Sequence, residues 1–445
     1  MQQNMEGMDL TINEAYSFMD KAAGYGSILG LETMTNLLMG LDNPQDKLKF
    51  VHIAGTNGKG STAAFITHIL AAAGYSVGRY ISPSVFSYEE KIQLTCKEEH
   101  TLKTEYINEA EIASCIEKIQ DVCEELVSCG KAHPTVFEIE TAMAMLHFLQ
   151  HKCDIVVLEV GLGGKLDATN VIKTTECGVI TSISMDHMEY LGDTLEKIAL
   201  QKAGIIKPGI QVAAYDLKPE AMGVIEQTCK DMNANLLKAE FSNISNINMT
   251  LEQTIFDYEQ RKNIVIKLPG MNQIYNGVVA IIACEALRNR GYDISDEHIR
   301  MGLALTTWRG RFEVIGRNPL FIIDGAHNAD AALSLVENIN VYLKNRKIYF
   351  IMGVLKDKDY DEILNIIKGL GEKIYTVSPN NPRALPSDIL AKRAGEKGTM
   401  AVNAVSVERA IAMVLDDAGI NDVIIAFGSL SYLGEVVNAV NDFIA

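Results

Sequence analysis

The chain has 445 residues, enough for two or three compact cores, of which two is the simplest reading. Hydrophobic residues make up 48% and charged residues 22%, an ordinary globular composition that excludes a low-complexity chain. The formal charge of −17, from 57 acidic against 40 basic residues, argues against nucleic acid or an anionic membrane as a partner. It leaves room for an anionic substrate held by cations focused in a cleft.

No apolar run approaches the length needed to span a bilayer, and Met1 to Leu10 carries no basic-then-apolar signal pattern. A soluble, cytoplasmic protein is expected. The eight cysteines are scattered, with no C-x-x-C pair and no Cys/His cluster at zinc spacing, so reduced and mostly buried thiols are expected.

In chain order, the apolar run Phe50 to Ala54 predicts a strand and Thr62 to Ala73 a helix. Between them lies Gly55-Thr56-Asn57-Gly58-Lys59-Gly60-Ser61. Glycines let the backbone turn tightly enough for several N–H groups to face one phosphate chain, and the following helix adds its positive end. Lys59 supplies an ammonium. The spacing departs from G-x-x-x-x-G-K-S/T, because Ile53 stands where the first glycine belongs and Gly60 follows the lysine. The loop is a shorter nucleotide-binding variant.

Helical periods follow at Ala110 to Ser128 and Glu138 to His151, then a buried strand at Asp154 to Val160. This strand delivers Glu159 into the glycine-rich run Gly161 to Gly164. A carboxylate after mostly apolar residues is costly to bury without a positive partner, and Mg²⁺ carried by nucleotide phosphates is the natural one. A solvent-facing glutamate is the bland alternative. The next strand, Cys177 to Ile183, runs on to Asp186 and His187, and a further strand is predicted at Ile210 to Tyr215. Taken alone, His187 fits a structural imidazole and Lys202 a solvated helix lysine.

Short alternating segments over Asn243 to Leu268 suggest a small antiparallel piece, followed by helices at Gln273 to Arg290 and Ser295 to Leu305. Near Thr306 to Gly310, at the only tryptophan, the alternation restarts. Strands are predicted at Phe321 to Asp324, Ile348 to Val354, Ile374 to Ser378 and Val423 to Phe427. The fold class is α/β, with a larger domain over residues 1–306 and a smaller one over residues 307–445. Ligands in such sheets gather at the carboxyl ends of strands, where Asp324, His327 and Asn328 lie.

Several segments together, in this order, resemble the folylpolyglutamate synthase and dihydrofolate synthase family of Mur-type ligases. They are Gly55 to Ser61, Leu158 to Asn170, Asp186-His187 with Leu191-Gly192-Asp193-Thr194, Lys202 to Ile205, Gly310 to Glu313, and Asp324 to Asn328. The resemblance runs from about residue 10 to the C-terminus. It implies a P-loop-containing Mur-ligase-type N-terminal domain and a smaller Rossmann-like α/β C-terminal domain of the glutamate-ligase type, with ATP in a cleft between them.

By the same resemblance, the enzyme activates a carboxylate as an acyl phosphate and joins it to the amine of L-glutamate. The substrate implied is a reduced folate, extended to a polyglutamate tail, and also dihydropteroate. Gly55, Thr56, Asn57, Gly58, Lys59, Gly60 and Ser61 would cradle the ATP phosphates. Ser82 and Glu159 would hold one Mg²⁺; Glu159, His187 and a carbamylated Lys202 would hold a second. Lys59, Glu159, His187 and Lys202 are the implied catalytic set, and Asn276, Arg311, Asp324 and His327 the further nucleotide contacts.

Phe86, Tyr88 and Phe137 fall in the segments that would line a pterin pocket, where aromatic packing is the competing reading. Ser84, Lys91, Lys165 and Arg309 depart from residues common in the family. A monomer is expected. Other readings are a Mur-type ligase acting on a cell-wall precursor, for which Gly-Lys-Thr-Thr would follow the loop asparagine, and an inactive nucleotide-binding regulator. Retention of Ser82, Glu159, His187 and Lys202 speaks against the latter.

Overall fold

A computed structural model describes residues 10–26, 30–99 and 101–444. Apart from Leu10, the N-terminal stretch without a signal pattern lies outside the described residues. Two compact units divide the chain. The first comprises the described residues of Met1–Ser82, Glu89–Glu240 and Val279–Gly302; the second comprises Pro83–Tyr88, Phe241–Val278 and Leu303–Ala445, again as described. This division differs from a single cut at 306/307 by assigning residues 83–88, 241–278 and 303–306 to the later unit.

The first unit is built on strands β1 (Phe50–Ala54), β2 (Val77–Tyr80), β3 (Ile92–Glu98), β4 (Thr101–Tyr106), β5 (Ile155–Glu159), β6 (Thr175–Ile180), β7 (Gln211–Ala214) and β8 (Asn235–Lys238). Their order in the sheet is β4-β3-β2-β5-β1-β6-β7-β8. All pairs from β2 to β8 are parallel, and β3 and β4 add an antiparallel edge. Residues of β1 and β5 are buried on both faces, which is why these strands read as mostly apolar runs, interrupted only by His52 and ended by Glu159.

The helix Lys59–Ala72 behind β1 is buried from Ser61 to Ala72. Apolar on every side, it belongs to the interior. Glu109–Ser128, by contrast, buries one stripe, including Ile112, Cys115, Ile116, Ile119 and Cys123. It begins with a reciprocal cap between Asn108 and Glu111, and Val136–Gln150 begins the same way with Thr135 and Glu138.

The second unit holds two sheets. One is a meander of β9 (Ile244–Met249), β10 (Thr254–Tyr258) and β11 (Arg261–Ile266), antiparallel as expected. The other is formed by β12 (Glu313–Arg317), β13 (Leu320–Ile323), β14 (Ile348–Met352), β15 (Lys373–Val377), β16 (Ala401–Val405) and β17 (Val423–Phe427), in the order β12-β13-β17-β14-β15-β16. Alternate residues face opposite layers: Ile348, Phe350 and Met352 pack with Leu335 and Ile363, whereas Tyr349 and Ile351 pack with Val407 and Val436. Helices therefore cover both faces of this sheet.

Six cysteines are buried, and Cys96 and Cys129 are exposed; all are free thiols. Among the described residues no helix is long and apolar enough to cross a membrane.

Among the buried imidazoles of the first unit, His52 and His68 oppose acid. Burial pushes His52 down to about 3 and His68 down to about 4 from an ordinary value near 6.5. Because the unfolded chain takes up these protons first, their contribution is whole above about pH 6.5 and is lost as pH falls through the folded values. At about pH 5 each histidine should cost roughly 2 kcal/mol of stability relative to neutral pH. Urea midpoints at the two pH values measure this, and His52→Gln should flatten the dependence; equal midpoints for the wild type would contradict it.

Candidate active site

Strand order brings the expected residues of the first unit to one edge. β2, β5, β1 and β6 are successive parallel neighbours, so their carboxyl ends lie side by side, where α/β sheets bind ligands. Register makes this concrete: Tyr80 pairs with Leu158, Ile53 with Glu159, and Ala54 with Ile180. Ser82, Glu159, the Gly55–Ser61 loop and the Thr181–His187 segment all issue from that edge.

The loop is stitched to the segment after β6. Thr56 N–H donates to the Ser182 carbonyl at 2.7 Å, and Thr181 Oγ1 donates to the Asn57 carbonyl at 2.8 Å. Thr56 Oγ1 accepts from Ser184 N–H at 3.1 Å. Gly58 takes a φ of +87° at the entry to the helix that Lys59 opens, a conformation that glycine adopts without steric cost. The helix begins three residues earlier than its apolar period suggested, so Lys59 and Gly60 occupy its first turn.

Charge is concentrated there. Lys59 Nζ donates to the carbonyls of Gly55 and Thr56, each at 3.3 Å, and lies 3.9 Å from Glu159 Oε1. Glu159 is 6% exposed, and its charge acts on the buried guanidinium of Arg79. It is not the solvent-facing strand end of the bland reading.

Lys202 is a clearer departure from the reading of residues alone. It is 3% exposed, and its Nζ donates to the Gly55 carbonyl at 2.8 Å. Burial, aided by the charge of Lys59, pushes its pKa down to about 7, against the pull of Asp186. Much of the amine is therefore neutral near neutral pH.

The glycine-rich turn places this lysine. A Cβ at Gly164 would lie 2.7 Å from the Gln201 carbonyl and 3.0 Å from that of Lys202, so glycine lets the helix Leu195–Ala203 approach this closely. Asp167 holds the turn from within, accepting from Leu162 N–H at 2.8 Å and Thr169 N–H at 3.0 Å. Asn170 Nδ2 donates to the carbonyls of Lys165 and Gly204. These supporting residues lay inside the quoted motif but had no role assigned; short Asp and Asn side chains amid glycines were the available signal.

Asp186 and His187 sit where the β6 segment turns into the short helix Met188–Leu191, and His187 takes a φ of +48°. Its ring is 3.9 Å from the Asp186 carboxylate. Of the pterin-pocket candidates, Phe137 fills the space that a Cβ at Gly161 would occupy, approaching it to 2.6 Å, and Lys91 pairs with Glu140 at 2.5 Å.

In the second unit Asp324 ends β13 and accepts from the backbone N–H groups of Phe312 at 2.9 Å and Ala326 at 2.8 Å. Burial raises its carboxyl pKa and the Arg311 charge pulls it back. The Arg311 guanidinium occupies the space a Gly325 Cβ would need, with Nη1 donating to the Gly310 carbonyl. His327 Nδ1 is 2.8 Å from the Gly325 carbonyl, and Asn328 caps the helix Ala329–Tyr342. Asp324 thus organises the turn that carries Arg311 and His327. Asn276, 2% exposed on the helix Met271–Arg288, donates to Gln273 at 3.1 Å. Arg309 stacks on Phe86, with its guanidinium carbon 3.9 Å from the ring centre.

Residues 53–284 match the Mur ligase middle domain and residues 310–430 the Mur ligase glutamate ligase domain. The dihydrofolate synthase/folylpolyglutamate synthase of Bacillus subtilis (strain 168) is 33% identical over 432 residues, covering 95% of this chain and 97% of that protein. The chain belongs to the folylpolyglutamate synthase/dihydrofolate synthase family of Mur ligases. Another member, the folylpolyglutamate synthase of Lacticaseibacillus casei, is 34% identical over 359 residues, 79% of this chain and 81% of that one. Among solved members, the Mycobacterium tuberculosis folylpolyglutamate synthase complexed with ADP and AMPPCP superposes with a TM-score of 0.85 at 27% identity, covering 98% of each chain. Escherichia coli FolC in complex with DHPP and ADP gives 0.81 at 27% identity, over 97% of this chain and 98% of that one.

Proposed function

We propose that the protein is an ATP-dependent ligase that joins L-glutamate to a reduced folate and lengthens a polyglutamate tail, and that it also accepts dihydropteroate. The observation carrying this reading is the convergence of Lys59, Glu159 and Lys202 on the Gly55–Ser61 loop at the carboxyl edge of a parallel sheet. Relatives named for these activities, and solved members holding ADP or AMPPCP, support it.

In the reaction proposed, a substrate carboxylate oxygen attacks the terminal phosphorus of ATP, and ADP leaves. The glutamate amine then attacks the acyl carbon of the acyl phosphate, losing a proton, and phosphate departs with the former carboxylate oxygen. The approach of two anions must be screened before the first bond forms. Lys59, anchored to two loop carbonyls, is the cation in place for the terminal phosphate. The backbone N–H groups at the start of its helix face the same phosphate chain. Arg311, Asp324, His327 and Asn276 are assigned to nucleotide contact on their motif positions, and the functional domains are assigned as 1–306 and 307–445.

The donors suit Mg²⁺: Glu159 offers a buried carboxylate, Ser82 a hydroxyl from the neighbouring strand end, and His187 an imidazole. Mg²⁺ bound there would neutralise phosphate charge during transfer. As an ammonium, Lys202 cannot be a ligand. In its neutral form the amine can add CO₂ and release a proton to give a carbamate, whose oxygens can. Intact mass under mild conditions should show the mass of one CO₂ that Lys202→Met lacks; an unmodified wild type with nucleotide and Mg²⁺ present would remove Lys202 from the ligand set.

The reaction itself is tested with a folate labelled with oxygen-18 in its terminal carboxylate. One label should pass into inorganic phosphate for each product formed. Label in AMP, or none in phosphate, would overturn the acyl-phosphate reading.

A further inference from the structure

Among the described residues one group of His, Cys, Asp and Glu side chains has ligand atoms that all lie within 4.8 Å of one another, and it involves none of the residues assigned above. It consists of Glu111, His147 and His151. His147 lies in the last turn of Val136–Gln150, and His151 follows as its cap, with its N–H bonded to the His147 carbonyl at 3.0 Å. A spacing of four residues puts both imidazoles on one side of the helix, and their ring centres are 4.4 Å apart.

Glu111 approaches them from the first turn of Glu109–Ser128. Its two oxygens are divided between tasks. Oε2 accepts from Asn108 N–H at 3.0 Å and closes the helix cap, which fixes the carboxylate. Oε1 lies 2.8 Å from His151 Nε2 and 4.0 Å from His147 Nδ1. With metal–ligand bonds of about 2.0 Å, tetrahedral ligands stand about 3.3 Å apart, so these separations bracket the required edge.

The site has a buried wall and an open side. His147 is 1% exposed, and the nitrogen it brings to Glu111 is Nδ1. His151 is partly exposed, giving an ion a path of entry and room for water.

We propose that Glu111, His147 and His151 bind one divalent transition-metal ion of the zinc type, with solvent completing the coordination shell. Two imidazoles and one carboxylate are donors suited to Zn²⁺ or Co²⁺, whereas Mg²⁺ favours an all-oxygen shell. The ion would tie the start of one helix to the end of the next, away from the phosphate loop in sequence and in role.

The test uses the full chain with saturating Mg²⁺ and ADP, and Zn²⁺ as the probe in equilibrium dialysis. Wild type and Glu159→Gln should each bind one equivalent more than His151→Ala, or bind it at least about tenfold more tightly. Zn²⁺ should raise the melting temperature of the wild type and not that of His151→Ala, whose ligase activity without zinc should equal wild type. Co²⁺ bound at this site should show d–d absorption without thiolate charge transfer. Equal binding by wild type and His151→Ala, loss of binding in Glu159→Gln, or a thiolate signature from Cys96 or Cys129 would overturn the proposal.

Discussion

Replacing Glu159 with glutamine should lower turnover by about two to three orders of magnitude while leaving the fold intact. Glutamine keeps the shape of the side chain at the end of β5 but removes a charge that is 6% exposed and 3.9 Å from Lys59. The charge has two proposed tasks: to hold Mg²⁺ and to keep Lys59 oriented over the loop. Both matter most when negative charge builds between carboxylate and phosphate, so kcat should fall much further than ATP affinity. Steady-state kinetics with a binding isotherm for ATP separate the two effects. A variant with wild-type kcat, or one that loses only nucleotide affinity, would remove Glu159 from the chemistry.

Gly55→Ala should cost both stability and activity. The added Cβ would fall 1.7 Å from Thr181 Oγ1 and 2.9 Å from Thr181 Cβ, distances no packed pair can hold. Either the loop moves away from the β6 segment, or Thr181 turns and gives up its bond to the Asn57 carbonyl. Overpacking of this kind costs about 1 to 3 kcal/mol, read from the urea midpoint. A shift of about 1 Å in the phosphate-binding backbone also displaces Lys59 and the carbonyl that Lys202 contacts, for a loss near a hundredfold in kcat/KM. Thr181→Ala combined with Gly55→Ala removes the worst clash and should recover part of the stability. Additive losses in that double variant would show that the conflict lies elsewhere.

The strands that carry the site were legible because they are buried on both faces. Ile155–Glu159 is an apolar run that ends in Glu159, and Phe50–Ala54 is one interrupted only by the buried His52 before the glycine loop begins. β2 was not legible: Val77-Gly78-Arg79-Tyr80 breaks its apolar run with a glycine and an arginine. Gly78 is needed because the Phe148 ring fills its Cβ position at 2.6 Å, and Arg79 is buried against Gln93. Neither fact is local in sequence. The edge strands β4, β8, β12 and β16 escaped for the opposite reason, since partly exposed edges tolerate mixed polarity.

The site shows the same limit. Glycine spacing and Lys59 marked the loop, but nothing local marked Lys202, whose burial depends on a turn some forty residues earlier packing against its helix. The Glu111–His147–His151 group went unseen because its carboxylate comes from another helix, far from the two histidines in sequence. The H-x₃-H spacing of His147 and His151 supplies only two of the three donors.

The most direct test of the central claim is phosphate release by the purified protein with ATP and Mg²⁺, while L-glutamate and tetrahydrofolate are supplied singly and together. Release is predicted only when both are present, matched one to one by a folate product heavier by one glutamyl residue. Release that is indifferent to either substrate, or that proceeds without the glutamylated product, would contradict the assignment.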